Sequence, residues 1–551
     1  MNVTQATEHQ LDPKISQILE KRGITAQEAE SFFSWNLREI PALNQLIDLP
    51  KAAARVIEAI QKQQLIGIYG DYDVDGTTSC ALLHHFFKRL GIEVKVYQPS
   101  RFVEGYGIHP SSIETAAKDK VSVLMTVDCG ITNFEAGEAA KEKGIDLIIT
   151  DHHQDNPEKR PDAYAIVNPN RSDEPKDNPL KVLAGVGVAF CLCLEIKQQL
   201  MDQGQETPSL YPLLEFVAIG TIADLAKLNH VNRVLCRHGL KQMKESAFEG
   251  VKVFTTPDDR ALDLIPADRI SFGIGPVINS KGRLDHPEKA FQLLASEQHP
   301  QAFELFNALQ MSNQERKQIQ KEVFLQARQA VLEEMKDPHY ISLAYQEDWH
   351  EGVIGIVASQ LVEAFKTSAI VFTNSEEEGV IKASARAAGQ VNMFEILTEC
   401  QDLFLKFGGH KAAAGLSMKK ENLPYLKERL NTIISEQYSE LQRINIDVPE
   451  LELKFDDLNP EFAKQLERMQ PFGMGNPLPL FRSRHLKLNN FTLLKDVHVR
   501  WEFVNKYPSD NFYAQKINGI SFNYIDKWET LHPKEIFEKQ QSEDMTVDFY
   551  L

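Results

Sequence analysis

The chain has 551 residues, more than one hydrophobic core usually serves, so several domains are expected, and with 42% hydrophobic residues each can bury a real core. With 60 Lys and Arg against 78 Asp and Glu, the formal charge of -18 excludes blanket coating of nucleic acid or anionic membrane and confines any nucleic-acid site to a local basic groove. Six cysteines lie scattered in apolar segments without the CxxC spacing of a zinc site or a disulfide framework, and no stretch reads as a signal peptide or a membrane span, so a cytoplasmic protein with reduced thiols is expected.

Residues 1–60 are helical in pattern, as in "ISQILEKRG" and "AAARVIEAIQKQ", and are expected to form a cap on the neighbouring domain. Over 61–300 the texture changes. Short apolar runs "LIGIYG", "VKVYQ", "SVLMTVD", "DLIIT" and "YAIVN" alternate with helical stretches such as "CALLHHFFKRLG" and "FEAGEAAKEKG", the mark of a parallel sheet with crossover helices. A polar loop, "NPNRSDEPKDNPL", follows the fifth run, and helices continue beyond it. Residues 301–338 are charged and free of Gly, which suits a long helix connecting two domains. Strand texture returns in "YISLAYQ", "AIVFTN" and "VIKASAR", placing a smaller α/β domain at 339–440. Residues 441–551, with "LELKF", "HLKLNNFTLL", "HVRWEFV" and "INGISFNY", read as all-β and fit a small barrel. The expected fold is therefore multidomain α/β with a C-terminal β-barrel.

The stretch "GDYDVDGTTS" sets Asp71, Asp73 and Asp75 at every second position, and clustered carboxylates repel unless a cation neutralises them. Three readings compete. An EF-hand opening fails, because its twelfth position would be Leu82 and a strand precedes it. A haloacid-dehalogenase-type phosphatase, with Asp73 as nucleophile and Asp75 as acid, fits the strand followed by "DVDGTT". The third reading makes the motif one wall of a metal site, with further ligands at the ends of neighbouring strands, where open parallel sheets place their chemistry. "LMTVDCG" supplies Asp128, "LIITDHH" supplies Asp151, His152 and His153, and "AIGTIADL" supplies Asp224. Carboxylates mixed with imidazole suit Mn²⁺ or Mg²⁺, and two such ions would serve an in-line phosphoryl displacement. Singly, Asp128 is as readily a helix N-cap and either histidine a structural one; together they favour the metal reading.

In this order, "DYDVDGTTS", "VDCG", "DHH" and "GTIADL" resemble the DHH phosphoesterase superfamily. With "SRFVEGYG", "INSKGR", "SNQERKQ", "WHEGVIGIVASQL", "ASARAAG", "KFGGHKAAAG" and "QPFGMGNPLPLF", the chain resembles, nearly end to end, its RecJ family of bacterial single-strand-specific 5′ to 3′ DNA exonucleases. The resemblance implies a DHH domain, a DHHA1 domain and an OB-fold, and it disfavours the dehalogenase reading. It implies that Asp73, Asp75, Asp128, His152 and Asp224 hold two Mn²⁺ or Mg²⁺ ions, with Asp71 and Asp151 supporting them and His153 contacting the scissile phosphate or assisting proton transfer. It places Arg101, Tyr106, Asn279, Arg283, Gln314, Ser384 and Arg386 along single-stranded DNA, and Gly408, Gly409 and His410 at the terminal nucleotide. Lys281, Arg316, Lys317, Lys382 and Lys411 would add positive charge to that path. Gly273 and Val277 stand where the family often has basic residues, and Ala387 where serine is commoner. Single-strand-binding protein and a RecQ-type helicase are the implied partners. The rivals are a nanoRNase or cyclic-dinucleotide phosphodiesterase, generally shorter and without the OB segment, and a non-catalytic scaffold of the Cdc45 kind, whose metal motifs are eroded.

Overall fold

The computed structural model describes residues 11–99, 107–282, 288–334, 339–445, 447–505, 516–522, 524, 533–534, 536 and 545–551. Arg101, Tyr106 and Arg283 lie outside the described residues. The chain divides into two units, residues 40–446 and residues 1–39 with 447–551.

In the larger unit, β1 (Ile66–Gly70), β2 (Val94–Tyr97), β3 (Val123–Val127), β4 (Asp146–Thr150) and β5 (Ala165–Val167) form a parallel sheet in the order β2-β1-β3-β4-β5. Every residue of β1, β3 and β5 is buried, because helices cover both faces, and so these strands read as continuous apolar runs without alternation. The register sets Gly70, Val127, Thr150 and Val167 side by side, so the next residues, Asp71, Asp128, Asp151 and Asn168, leave the sheet at one rim. The turn out of β1 is tight: a Cβ on Gly76 would lie 2.4 Å from the Asp71 carbonyl oxygen. It leads straight into the helix Val74–Arg89, whose first turn Asp73 caps by accepting the Gly76 N–H at 3.0 Å. Helices Gly185–Asp202 and Leu214–Ala223 pack on that helix.

The helix His299–Glu334 bridges two lobes of this unit. Its first half lies on helices Gly275–Gly282 and Glu288–Ala295, and Val323, Ala327 and Val331 share a core with Val353, Val357 and Leu361 of the helix Glu351–Phe365. The second sheet, β6 (Ile341–Tyr345), β7 (Ser368–Asn374), β8 (Val380–Arg386), β9 (Phe404–Gly409) and β10 (Ala413–Lys419), runs in the order β6-β7-β8-β10-β9, parallel only between β6 and β7.

In the smaller unit, β11 (Leu451–Glu452), β12 (Phe481–Leu494), β13 (His498–Asn505) and β14 (Lys516–Ser521) are neighbours in that order, and β15 (Met545–Phe549) pairs with β12. Among the described residues these pairings trace no closed ring. The expected cap over 1–60 divides between the units. Ile15, Ile18 and Leu19, one helical stripe, bury against Phe462, Leu466 and Phe481, whereas the helix Leu49–Gln61 packs on the helix Gly185–Asp202. All six cysteines are buried and unbridged, and no helix of the described residues is long and apolar enough to cross a membrane.

Candidate metal centre

The rim gathers side chains from four segments. Asp128 stands at φ +60°, in the left-handed region that a short polar side chain tolerates, and is 2% exposed. His152 Nε2 lies 3.2 Å from Asp128 Oδ1, 3.8 Å from Asp75 Oδ2 and 3.9 Å from Asp224 Oδ2. Asp224 caps the helix Leu214–Ala223, so it arrives from a helix end and not from a strand. Three sets of donor atoms lie within 4.8 Å of one another: Asp71, Asp73 and Asp128; Asp75, His152 and Asp224; Asp128, His152 and His153. Asp128 and His152 link these sets; the set with His153 can bind a cation only while that ring is neutral, whereas the other two sets lie side by side, with His152 Nε2 3.2 Å from Asp128 Oδ1, and suit a pair of neighbouring cations.

Asp75 is held from behind. Its Oδ2 accepts the Gly185 N–H at 2.6 Å and its Oδ1 the Val186 N–H at 2.9 Å, both at the positive end of the helix Gly185–Asp202. Each oxygen retains a second lone pair for a cation. The helix approaches closely because residue 185 is glycine: a Cβ there would lie 2.7 Å from Asp128 Cβ. Burial, followed by the charges of Asp224 and Asp73, still holds the Asp75 carboxyl well above the usual carboxylate range. Burial and the charges of Asp75, Asp73, Asp71 and Asp151 do the same at Asp128. Asp224 is pushed up to about 7 by burial and by Asp73, against the pull of His153. Neighbouring carboxyls that resist joint ionisation are those a divalent cation would relieve, and an oxygen-rich set with imidazole fits Mn²⁺ or Mg²⁺.

The two histidines differ in charge. Burial and the neighbouring His153 lower His152 to about 4, leaving its ring neutral and able to donate a lone pair. Burial would lower His153 too, but Asp151, whose Oδ1 lies 2.7 Å from Nδ1, prevails and raises it to about 9. Asp151 also accepts the backbone N–H groups of His152, His153 and Ile131. His153 is thus a half-exposed imidazolium beside the carboxylates, suited to meeting a phosphate oxygen.

Across the connecting helix, Ser384 and Arg386 share one face of β8, and Arg386 Nη1 donates to Ser384 Oγ at 2.8 Å. Ser384 is in register with Gly415, and Gly415 with Gly408, where an added Cβ would meet nothing within 4 Å. Bare backbone therefore adjoins the serine and arginine. Gly409, at φ +151°, ends β9, and His410 opens the hairpin turn into β10, its N–H donating to the Ala413 carbonyl at 2.8 Å. Asn279 is half-buried on Gly275–Gly282, and Gln314 is exposed on the connecting helix. Arg316, expected to face the channel, is buried, with its guanidinium on Asn313 Oδ1 and Gln320 Oε1. Lys382 is paired with Glu351.

The family models that match are the DHH family N-terminal domain over residues 65–221, the DHHA1 domain over 337–436 and the RecJ OB domain over 449–546. The single-stranded-DNA-specific exonuclease RecJ of Haemophilus influenzae is 36% identical, covering 80% of this chain and 78% of its own length. The chain belongs to the RecJ family. The RecJ of Bacillus subtilis is also 36% identical over 88% of this chain, which spans 60% of that relative's length. The crystal structure of RecJ in complex with Mn²⁺ from Thermus thermophilus aligns with TM-score 0.73 at 25% identity, over 92% of this chain and 75% of that one.

Three contributors to this RecJ-family site escaped the sequence reading. The Gly185 N–H lies 110 residues from the carboxylate it holds, and only the small-residue run "LAGVG" opening a helix hints at a close approach. Asn168 and Asn170, in a loop read as a connector, donate to the backbone carbonyls of His153 and His152.

Proposed function

We propose that the protein is a single-strand-specific DNA exonuclease that requires Mn²⁺ or Mg²⁺ and releases mononucleotides from the 5′ end. The observation that carries this reading is the convergence of Asp71, Asp73 and Asp128, and of Asp75, His152 and Asp224, into two neighbouring donor sets, in a chain of the RecJ family. Asp73, Asp75, Asp128, His152 and Asp224 would hold two cations, with Asp71 and Asp151 supporting them. When bound, such ions supply Lewis-acid activation of water and neutralise charge on the phosphate. His153, charged and fixed by Asp151, would hold a phosphate oxygen and hand a proton toward the leaving oxygen.

Ser384 and Arg386 would engage the backbone of the strand, and Gly408 and Gly409, lacking side chains, would let it approach the sheet beside His410. Asn279 and Gln314 would add neutral donors, and Arg101, Tyr106 and Arg283 belong to the same proposed path. The OB-type unit would hold DNA farther along by stacking and a basic groove. We place this work in the cytoplasm, in recombination and repair, alongside single-strand-binding protein and a RecQ-type helicase. The test offers end-labelled single strands, duplex, a dinucleotide and a simple phosphomonoester with Mn²⁺. Mononucleotides released from the 5′ end of the single strand alone are expected, and preferential cleavage of the dinucleotide or the monoester would refute the assignment.

A further inference from the structure

The polar loop after β5 has a use beyond connection. Four strand ends lie level at the rim, and three of them deliver Asp71, Asp128 and Asp151; the fourth delivers Asn168, which is fully buried. Asn168 Nδ2 donates to the His153 carbonyl at 2.9 Å, and its Oδ1 accepts the Asn170 N–H at 2.7 Å. Asn170 Nδ2 donates to the His152 carbonyl at 2.5 Å. From the opposite side Asp151 Oδ1 accepts the N–H of His152 at 2.7 Å and of His153 at 3.1 Å. Asp151 is the last residue tied to the sheet, its N–H donating to the Val167 carbonyl at 3.1 Å; residues 152–154 belong to no helix or strand, so no strand ladder holds the histidines. Each histidine is instead held at both ends of its backbone, by Asp151 on the nitrogen and by an asparagine on the carbonyl.

The loop is itself anchored. Arg171 donates to Asp48 Oδ2 at 2.9 Å and to the Ile166 carbonyl at 2.6 Å, while Asn178 bonds Glu174 at 3.1 Å and the Gln45 carbonyl at 3.3 Å without touching the histidines. We infer that Asn168 and Asn170 are positioning residues: their amides fix the main chain of His152 and His153, and so the imidazole of His152 toward a cation and that of His153 toward the phosphate. Once the main chain is fixed, each ring keeps only its two side-chain torsions, and losing one amide frees the turn to pivot. Partners that orient a ligand typically carry about 10–100-fold in metal affinity or activity, so an effect of that size is expected.

The inference rests on the metal reading above, and its test separates the two. Manganese uptake is measured by calorimetry on the full chain and on the variants Asn170→Ala, Asn170→Asp and Asn178→Ala, together with thermal melting and single-strand degradation. Asn170 is only half-buried, so its variants are expected to fold. Asn170→Asp keeps the size, removes the donor and adds a negative charge that alone would strengthen cation binding. Both Asn170 variants are expected to bind manganese about 10–100-fold more weakly and to lose kcat, with KM for DNA within about twofold of the parent; Asn178→Ala is expected to keep the affinity at a comparable melting temperature. Parent-like affinity and kcat in both Asn170 variants, or an equal loss in Asn178→Ala, would overturn the inference alone. A parent that takes up no manganese would overturn the metal reading and the inference with it.

Discussion

Replacing Gly185 with alanine probes how closely the helix Gly185–Asp202 must press on the carboxylates. The new Cβ would stand 2.7 Å from Asp128 Cβ, 2.9 Å from Asp128 Cα and 3.0 Å from Asp128 Oδ1. Carbon atoms rest at about 3.5–4.0 Å, so helix and carboxylate must separate by roughly 1 Å. Overpacking of this kind costs about 1–3 kcal/mol. Alanine returns about 1 kcal/mol through its helix preference and the restricted unfolded chain, which leaves a net loss of about 0–2 kcal/mol. The Gly185 N–H that grips Asp75 moves with the helix, and a misplacement of about 1 Å at reacting groups costs on the order of 100-fold in rate. Stability and activity should therefore separate: a melting temperature lowered by only a few degrees and a rate of nucleotide release down about 100-fold at saturating manganese. Gly187→Ala is the milder control, since its Cβ would lie 3.0 Å from Leu183 Cδ2, which can swing aside, and 3.2 Å from Leu183 Cβ, which must give by a few tenths of an ångström, with no carboxylate among its nearest atoms. If Gly185→Ala degrades single-stranded DNA within a few-fold of the parent, the spacing of this helix does not set the geometry of the site.

Asp128→Asn should abolish DNA degradation yet raise the melting temperature of the EDTA-treated protein, because it removes a buried, repelled carboxylate from a φ +60° position that asparagine accepts; a lower melting temperature would contradict the charge argument. Stability of the metal-free protein should fall between about pH 6.5 and pH 9. His153, raised to about 9 by Asp151 against burial, gives stability at low pH that is lost across this window, whereas Asp224, raised to about 7 chiefly by burial and Asp73, loses its share between about pH 4 and 7 and adds only to the start of the decline. His152, lowered to about 4 chiefly by burial, contributes stability above pH 6.5 and loses it only as pH falls, so it does not offset the decline in that window. Denaturant melts in EDTA at the two ends of the window check this, and a flat or rising profile would count against it. Arg386→Ala should raise KM for single-stranded DNA and flatten the slope of log affinity against log salt by about 0.7, the share of one phosphate contact; an unchanged slope would remove Arg386 from the DNA path.

The strand ends bearing Asp71, Asp128 and Asp151 were legible because an acid directly after a buried apolar run, in an alternating β and α pattern, has the sheet rim as its natural place. The apolar run before Asp224 is a helix buried all round, and such a run carries no period that tells helix from strand. The apolar stripe of Ile15, Ile18 and Leu19 announced a buried face but not the partner, which proved to be β12 and the helix Pro460–Glu467 at the far end of the chain, a helix that the all-β reading of 441–551 missed, and not the adjacent parallel sheet. Arg316 lies where the connecting helix passes from one lobe to the next, so the charge pattern of that helix alone could not show which face is covered. The donors on Asp75 and on the histidine carbonyls were invisible for a different reason. A backbone N–H has no letter in the sequence, and asparagines in a Pro-rich loop look like ordinary turn formers.

The most direct measurement is anomalous diffraction from crystals grown with manganese. Two peaks are expected at the rim of the first sheet, within coordination distance of Asp73, Asp75, Asp128, His152 and Asp224, with Asp128 reaching both. A single peak elsewhere, or none at this rim at manganese concentrations that sustain DNA degradation, would contradict the assignment of these side chains.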